Sequence, residues 1–288
     1  MGLGPRSLES LVTAPFGGAY SGRRVLVTGH TGFKGAWLSL WLNELGAEVW
    51  GLALPPEGSP SLYGLLGLEG ALHSRTGDIR DPEAVDAAFA AARPDVVFHL
   101  AAQPLVLRSY QAPVETFAVN VVGTAQVLEG ARRAGCAKAI VAVTTDKVYE
   151  DPEASRPRSE TDALGGHDPY SASKAGSEIV AASYRRSFRL PLATARAGNV
   201  VGGGDWAADR LLPDCARAFA AGRSATVRNP GSIRPWQHVL EPLSGYLALG
   251  ERLLASPVEA AEAWNFGPRE DAVTVSAVAG FAAEAWGA

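Results

Sequence analysis

The hydrophobic positions of this chain form short apolar runs that alternate with longer segments of helical pattern. Two runs, 23–28 and 48–54, are continuous enough to be buried strands of a parallel sheet. The segment 36–45 between them is predicted to be a helix that stops at Gly46. The alternation continues with strands predicted at 73–77, 94–102, 138–143 and 192–196, and with helices at 82–92, 113–135 and 169–188. This pattern predicts an α/β fold with a doubly wound parallel sheet.

A glycine-rich loop joins the first predicted strand to the first predicted helix. It reads Gly29-His-Thr-Gly32-Phe-Lys-Gly35. Glycines let the backbone approach a pyrophosphate, whose charge meets the N-terminus of the following helix. Strand, loop, helix and strand in this order favour a Rossmann dinucleotide site over a tight turn without a ligand. The candidate cofactor residues here are Gly29, His30, Thr31, Gly32, Phe33, Lys34 and Gly35.

The second predicted strand lacks the acid that commonly holds the ribose hydroxyls of NAD. It runs into Leu54-Pro55-Pro56 and then into a segment rich in Pro, Gly and Ser that is predicted to be a long loop to residue 70. The first acid is Glu57. Lys34 and His30 lie in the phosphate loop, where positive charge could tolerate a 2′-phosphate. These residues leave NAD and NADP open.

Two groups of polar residues are candidates for catalysis. Thr144-Thr-Asp-Lys147 follows the fifth predicted strand, and ligands of such sheets bind outside the carboxyl ends of the strands. Tyr170 and Lys174 follow Pro169, and their spacing puts both side chains on one helical face. A cation beside a phenol lowers its pKa from about 10, which makes a tyrosine a usable base. Each group alone could be an ordinary solvated segment, but together they indicate an active site.

Composition and charge narrow the class of protein. The chain has 288 residues, of which 47% are hydrophobic and 19% charged, with a formal net charge of −4. We therefore expect a globular protein without a nucleic-acid or membrane partner. Cys136 and Cys215 fit no metal spacing, so we expect no metal and a cytoplasmic protein with reduced thiols. The segment up to Ser21 lacks a signal-peptide pattern, and we expect it to lie outside the fold.

The chain beyond the sixth predicted strand departs from the alternation and is predicted to form a smaller substrate-binding domain. Helices are expected at 210–221 and 240–254, and a last helical segment from Val273 ends so abruptly that truncation is expected. We accordingly expect 22–190 to be the cofactor-binding domain that carries the Tyr/Lys pair. Residues 191–288 are then mostly the substrate domain, interleaved with the sixth strand of the sheet.

Several blocks of this sequence resemble the extended short-chain dehydrogenase/reductase family, which contains NAD-dependent epimerases and dehydratases. They cover most of the chain from residue 23 to 267 and lie at 28–35, 101–105, 165–174, 196–206 and 234–243. The Gly-Gly-Gly-Asp-Trp and Arg-Pro-Trp-Gln-His segments are the more specific ones. They narrow the resemblance to the family of CDP-glucose 4,6-dehydratases.

The resemblance implies an NAD-dependent hydro-lyase that converts CDP-glucose to CDP-4-keto-6-deoxyglucose. Such an enzyme transiently oxidises C4 of the sugar, eliminates water across C5–C6 and returns the hydride to C6. By resemblance Tyr170 takes the proton of the 4-hydroxyl, while Lys174 lowers its pKa and holds the nicotinamide ribose. Thr145 hydrogen-bonds the 4-oxygen and Asp146 protonates the departing hydroxyl. Lys147 would remove the C5 proton.

Lys147 stands where many related dehydratases have a glutamate. A lysine must lose its proton to act as a base, and burial beside Lys174 and an oxidised nicotinamide would favour its neutral form. The resemblance implies further cofactor contacts at Asp78, Ile79, Leu100, Ala101, Ala102, Gln103, Asn120, Tyr170 and Lys174. It implies substrate contacts at Asn199, Arg234, His238 and Asn265. NAD is preferred to NADP because a hydride returned within one turnover needs no NADPH pool, and a homo-oligomer is expected.

Three alternatives stay open. The chain could be a dehydratase for another nucleotide sugar, an epimerase, or a non-catalytic NAD(P)-binding protein of the same fold. An epimerase needs only the Tyr170 and Lys174 chemistry, so the Asp146-Lys147 pair argues against it. A non-catalytic relative typically loses the tyrosine or the lysine, and both are present here.

Overall fold

Seven parallel strands form the central sheet of the computed structural model, which describes residues 14–150, 156–268 and 273–287. The strands are β1 Arg24–Thr28, β2 Glu48–Ala53, β3 His73–Thr76, β4 Val96–His99, β5 Ala139–Val143, β6 Leu192–Ala197 and β7 Ala263–Phe266. Their order across the sheet is β7-β6-β5-β4-β1-β2-β3. This is the doubly wound order with one added strand, so the predicted fold class is confirmed.

Helices cover both faces of this sheet. They are α1 Phe33–Glu44, α2 Leu62–Leu65, α3 Pro82–Ala92, α4 Val106–Gln111, α5 Pro113–Phe117, α6 Gly123–Ala134, α7 Pro169–Phe188, α8 Leu211–Ala220, α9 Leu240–Ala255, α10 Pro257–Ala260 and α11 Val275–Trp286. A π-helical segment, Ala118–Val122, joins α5 to α6. Single 3₁₀ turns lie at Pro15–Gly18, Leu68–Gly70 and Asp146–Val148. Two small pairs of strands complete the described residues, Val200–Val201 with Gln237–His238 and Ile233–Arg234 with Val273–Thr274.

The central position of β1 explains why the strands appear as continuous apolar runs. Val25 pairs with β2 on one side and with β4 on the other. Val25 and Val27 pack with Leu38 in the core on one face, while Leu26 packs with Val85 on the other. Successive side chains of a strand point to opposite faces. A parallel strand covered by helices on both faces is therefore apolar at every position.

The segment before β1 belongs to the fold, and the expectation that it lies outside is wrong for residues 14–21. Tyr20 is 1% exposed. Its hydroxyl donates a hydrogen bond to the carbonyl of Leu247 at 2.5 Å, and its ring packs on Phe98 with centroids 6.2 Å apart. Burial raises the pKa of this hydroxyl. The remainder of that expectation, for residues 1–13, lies outside the described residues.

Three predicted elements differ in detail from the structure. The segment 55–70 was expected to be a loop, but α2 and the following turn bury Leu62, Tyr63 and Leu68 against α1. The helix predicted at 113–135 is present, with the π-helical segment inserted. The strand predicted at 94–102 is shorter, because residues 100–103 leave the sheet at its carboxyl edge.

The part of the chain after β6 is not separate from the sheet. Helix α9 places Leu243, Tyr246 and Leu247 in the same core as Val141 of β5. The division at residues 190 and 191 therefore stays a prediction. Within the described residues, no helix is long and apolar enough to cross a bilayer, and no group of His, Cys, Asp or Glu has the geometry of a metal site.

Candidate active site

The candidate site lies at the carboxyl ends of β1, β4, β5 and β6. The strand order reverses between β1 and β4, because the chain winds from β1 towards β3 on one side and from β4 towards β7 on the other. In an open parallel sheet this reversal opens a crevice at the carboxyl edge, where ligands bind. Every catalytic candidate from the sequence follows or faces one of these strand ends.

The glycine loop after β1 is packed too closely for larger residues. Gly29 has a positive φ of +77°, and a Cβ there would lie 2.7 Å from the backbone nitrogen of Ala101. A Cβ on Gly35 would lie 2.0 Å from the carbonyl oxygen of Gly29. Gly32 occupies the N-cap position of α1 with no capping side chain. The first N–H groups of α1 thus face the crevice without a side-chain acceptor, which suits a diphosphate.

A buried hydrogen-bond chain supports the segment that leaves β4. The Thr124 hydroxyl donates to the carbonyl of Asn120 at 2.6 Å and lies 3.0 Å from Nε2 of His99. Nδ1 of His99 lies 2.7 Å from the hydroxyl of Thr28, which accepts from the backbone N–H of Ala101 at 3.3 Å. Burial lowers the pKa of His99 to about 3, so its ring is neutral. This chain fixes the backbone of 100–102 beside Gly29.

Asn120 uses both ends of its amide inside the protein. Its Oδ1 accepts from the backbone N–H of Gln103 at 2.8 Å. Its Nδ2 donates to the carbonyl of Gln103 and to the hydroxyl of Ser173. Asn120 lies in the π-helical segment, a feature common at functional sites. Its predicted role as a cofactor contact stays a prediction; the contacts described here join the 101–103 segment to α7.

The part of the crevice that the sequence predicts for adenosine carries less positive charge than the sequence suggests. His30 is fully buried, its Nε2 lies 2.7 Å from the Ser74 hydroxyl, and its ring packs edge-on to Tyr63. Burial lowers the pKa of His30 to about 4, which leaves the ring neutral. Asp78 is held by Arg80 at 2.6 Å, and this hydrogen bond lowers the pKa of the carboxyl. A neutral His30 weakens the charge argument for a 2′-phosphate.

Helix α7 presents Tyr170 and Lys174 to the crevice. Asp168 caps the helix by accepting from the N–H of Ser171 at 3.0 Å, with Pro169 in the first turn. Tyr170 is 9% exposed and Lys174 is 6% exposed. The Lys174 ammonium donates to the carbonyl of Val143, at the end of β5, over 3.0 Å. The two predicted catalytic residues therefore lie on one helical face at the edge of the sheet.

The sequence predicts that Lys174 lowers the pKa of Tyr170, and the structure shows a different balance of effects. Burial raises the pKa of Tyr170, so the net direction in the protein alone is opposite to the predicted one. The charge of Lys147 is the foremost opposing effect, followed by a hydrogen bond with Thr145. Burial also lowers the pKa of Lys174 to about 8, while Glu178 raises it. A buried phenol needs cations in place before it becomes a base, and Lys147 is one of them.

Asp146 and Lys147 lie in the 3₁₀ turn after β5, and Thr145 is its N-cap residue. The Thr145 hydroxyl donates to Oδ1 of Asp146 at 3.0 Å. The Lys147 ammonium donates to the same oxygen, also at 3.0 Å. The side chains of Lys147 and Asp146 are 37% and 31% exposed, so the pair opens to the crevice. The turn therefore places an acid and an amine in contact with each other near Tyr170.

Two residues in this region were not found by sequence reasoning. Tyr246 of α9 is fully buried, and Lys34 of the glycine loop donates to its hydroxyl at 3.4 Å. Burial lowers the pKa of Lys34 to about 7, with the charge of Arg210 adding to the effect. Arg210 is held by Asp205 at 2.8 Å, and its charge also lowers the pKa of Tyr170. In the sequence, Tyr246 is typical of a core aromatic residue and Arg210 of a helix start, so neither pattern indicates a functional role.

Among the described residues, no side-chain contact joins the four predicted substrate residues to one another. Asn199 has a buried Oδ1 without a hydrogen-bond partner among the described residues, so this oxygen can take a ligand. Arg234 and His238 are exposed. Asn265 is engaged within the protein: its Oδ1 accepts from Tyr149 at 2.6 Å and its Nδ2 donates to a backbone carbonyl at 3.0 Å.

The doubly wound sheet, the glycine loop and the buried Tyr-x-x-x-Lys pair together define a protein of the extended short-chain dehydrogenase/reductase class. The chain belongs to the NAD dependent epimerase/dehydratase family, whose model matches residues 25–266. The resemblance seen in the sequence is thereby confirmed.

Individual relatives narrow this class. The chain is 49% identical over 278 residues to CDP-glucose 4,6-dehydratase of Salmonella typhimurium, covering 93% of this chain and 77% of that protein. It is 29% identical to dTDP-D-glucose 4,6-dehydratase of Dictyostelium discoideum, covering 73% of this chain and 51% of that protein. A solved dTDP-glucose 4,6-dehydratase double mutant of Streptomyces venezuelae with NAD bound is similar with a TM-score of 0.79 at 27% identity, covering 92% of this chain and 81% of that one.

Proposed function

We propose that this chain catalyses the dehydration of CDP-glucose to CDP-4-keto-6-deoxyglucose with NAD as its cofactor. The observation that carries the proposal is the 49% identity to the Salmonella CDP-glucose 4,6-dehydratase across 93% of the chain. The site agrees with it, because Thr145, Asp146, Lys147, Tyr170 and Lys174 are all present at one edge of the sheet. Similarity to a UDP-glucose 4-epimerase of Thermus thermophilus is weaker, at 29% identity.

The glycine loop fits the diphosphate of NAD. The positions of Gly29 and Gly35 admit no Cβ, and the N-terminus of α1 has no side-chain cap. Asp78 and the 100–103 segment would line the adenosine and nicotinamide sides, with Lys174 at the nicotinamide ribose. When bound, NAD supplies a temporary acceptor for the hydride of the sugar carbon and returns it within the same turnover. The neutral His30 and the relatives solved with NAD support NAD rather than NADP.

Tyr170 is proposed to remove the proton of the sugar 4-hydroxyl. The charge of Lys147, and after it the neighbouring Thr145 hydroxyl, lower the pKa of Tyr170 against burial, which raises it. Thr145 would hold the same sugar oxygen. Lys174 stands one turn along α7, anchored to the carbonyl of Val143, where its ammonium can hold a ribose hydroxyl.

Asp146 and Lys147 are proposed to carry out the elimination. A 4-keto group acidifies the C5 proton, so an amine can remove it while a carboxylic acid protonates the departing 6-hydroxyl. These roles need a neutral lysine and a protonated aspartic acid. Transfer of one proton along the 3.0 Å contact from Lys147 to Asp146 produces both states at once. After elimination, the amine holds the C5 proton and the carboxylate is regenerated.

One experiment tests this function directly. The protein is incubated with NAD and CDP-glucose, UDP-glucose or dTDP-glucose in parallel, and the alkali-induced absorbance of a 4-keto-6-deoxy sugar is measured. We expect product from CDP-glucose, and none from a matched Tyr170→Phe variant. Absence of product from CDP-glucose, or faster turnover of another nucleotide sugar, would contradict the assignment.

We further propose that the division at 190/191 separates cofactor from substrate recognition, with Asn199, Arg234, His238 and Asn265 on the substrate side. A homo-oligomer is proposed as well. It is supported by exposed apolar side chains on adjoining helices α4, α5 and α7, including Tyr110, Val114 and Ile179 at 62%, 82% and 62% exposure. Sedimentation equilibrium of the protein and of Ile179→Lys tests this: a monomer in both cases excludes it.

A further inference from the structure

Beneath the catalytic face of α7 lies a buried carboxylate to which the proposed reaction assigns no task. Glu178 follows Lys174 by one helical turn, and its side chain is 3% exposed. Its Oε1 accepts from the Thr144 hydroxyl at 2.5 Å. Its Oε2 accepts from the Thr194 hydroxyl at 2.7 Å and from Arg196 at 2.9 Å. The carboxylate thus joins α7 to the ends of β5 and β6.

Arg196 completes the pair and extends it towards the substrate side. Its side chain is 4% exposed, and Nη2 contacts Glu178. Its Nη1 donates to the Tyr149 hydroxyl and to the carbonyl of Glu160, both at 3.0 Å. Tyr149 in turn donates to Asn265 of β7. A buried ion pair is weak evidence for stability, because the loss of hydration offsets the attraction. Its position beside the catalytic residues calls for another explanation.

The geometry points to a positioning role: the Glu178 carboxylate keeps the buried Lys174 ammonium charged, and Arg196 holds that carboxylate in place. This inference rests on the proposed function, which gives Lys174 its task. Residues i and i+4 share a helical face, so Glu178 lies on the same side of α7 as Lys174. The ammonium donates to the neutral carbonyl of Val143, and Glu178 accepts from the hydroxyl of the next residue, Thr144, so both side chains meet the end of β5.

The groups of β4, α1 and β6 around Lys174 cannot supply this counter-charge, and Asp146, in the turn after β5, is already in contact with Lys147. On β4, His99 is neutral because burial lowers its pKa to about 3. On α1, Lys34 is a cation or a neutral amine, and its pKa is itself lowered by the charge of Lys174. On β6, Arg196 is a cation. Glu178 is the group whose charge raises the pKa of Lys174 against burial.

Glu178→Gln keeps the shape of the side chain and removes its charge. The charge that raises the pKa of Lys174 against burial is then gone, so Lys174 loses its proton at lower pH. If Lys174 must be charged for turnover, the alkaline limb of the kcat/KM profile should move down by about one pH unit or more. The double variant Glu178→Gln/Arg196→Gln lacks the Glu178 charge as well, so its limb should stay at the lowered position. Thr194→Val removes a hydrogen bond from Glu178 but no charge, and should leave the limb where it is.

The unfolding free energy provides a readout that needs neither substrate nor cofactor. It is measured by urea denaturation from pH 6 to pH 9 for the unchanged protein, Glu178→Gln and Thr194→Val. The cost of Glu178→Gln should be largest at pH 6, where Lys174 is charged in the folded protein, and should shrink towards pH 9, where it is not. The cost of Thr194→Val should not change with pH.

The outcomes separate this inference from the proposed function. A pH-dependent cost of Glu178→Gln supports the inference even if the protein leaves CDP-glucose unchanged, a result that would refute only the function. A pH-independent cost overturns it, because a purely structural pair loses the same free energy at every pH. An unshifted alkaline limb in an active Glu178→Gln variant, or a double variant whose limb returns to its original position, overturns it as well.

Discussion

Replacement of Lys147 separates two tasks that are proposed for one side chain. Lys147, the proposed C5 base, is in contact with Asp146 at 3.0 Å, and its charge is the foremost effect that lowers the pKa of Tyr170. Lys147→Met removes both. Lys147→Arg retains the cation but cannot supply a neutral base, because a guanidinium does not lose its proton in proteins. Comparison of the two variants therefore separates the effect of losing the base from the effect of losing the positive charge.

The size of each effect follows from its cause. Loss of a positioned general base lowers turnover by about 10²- to 10⁴-fold, or about 3 to 5 kcal/mol of activation free energy. Both variants should show this loss. Only Lys147→Met should also move the acid limb of the kcat/KM profile to higher pH, because the pKa of Tyr170 rises when the cation is removed. In Lys147→Arg the limb should stay close to its original position.

The assay combines turnover with the fate of the cofactor. Steady-state product formation from CDP-glucose gives kcat and the pH profile. The absorbance of reduced nicotinamide after substrate is added reports whether oxidation still occurs. We expect Lys147→Arg to oxidise the sugar and stop there, with reduced cofactor accumulating. Turnover of Lys147→Arg within about 3-fold of the unchanged protein would refute the base role and leave Lys147 as a charge for Tyr170.

Three further predictions follow from packing and burial. Gly35→Ala should abolish NAD binding in calorimetry, since its Cβ would lie 2.0 Å from the carbonyl oxygen of Gly29; Gly70→Ala, which meets nothing within 4 Å, is the matched control. Tyr20→Ala should lower the free energy of unfolding in urea by about 3 to 5 kcal/mol. A loss below about 1 kcal/mol would show that residues 14–21 contribute little to the core. Burial lowers the pKa of His99 from 6.5 to about 3. As the pH falls, His99 is therefore protonated in the unfolded chain before it is protonated in the folded one, and the folded protein loses stability below pH 6.5. His99 should contribute about 2 kcal/mol of that loss between pH 7 and pH 5, and a His99→Gln variant with the same pH dependence would contradict it.

The sheet could be predicted because its physics is local. Val25, Leu26 and Val27 are all apolar since helices cover both faces of β1, and this leaves a continuous run in the sequence. The glycine loop and the Tyr170–Lys174 spacing are local as well. Each can be recognised from a few consecutive residues, and the structure brings the two together at one edge of the sheet.

The remaining site features depend on neighbours that are distant in sequence. Tyr20 is held by Leu247 across most of the chain, and a single helical turn carries no periodic signal. Arg196 reads as one residue of an apolar strand, and only the packing of α7 on β6 shows that it meets Glu178. The direction of the pKa shift of Tyr170 likewise follows from burial, a property of the folded chain that spacing to a lysine does not contain.

The two lysines next to Tyr170 differ in the carboxylate that each one meets. Glu178, one turn from Lys174, is almost fully buried and accepts hydrogen bonds from two hydroxyls and a guanidinium. Asp146, in contact with Lys147, is partly exposed and accepts from one hydroxyl and the lysine itself. A buried carboxylate with all its hydrogen bonds made suits a lysine proposed to remain a cation, and a partly exposed carboxylate suits one proposed to give up and regain a proton. The difference in burial between the two carboxylates therefore agrees with the two opposite roles proposed for the lysines.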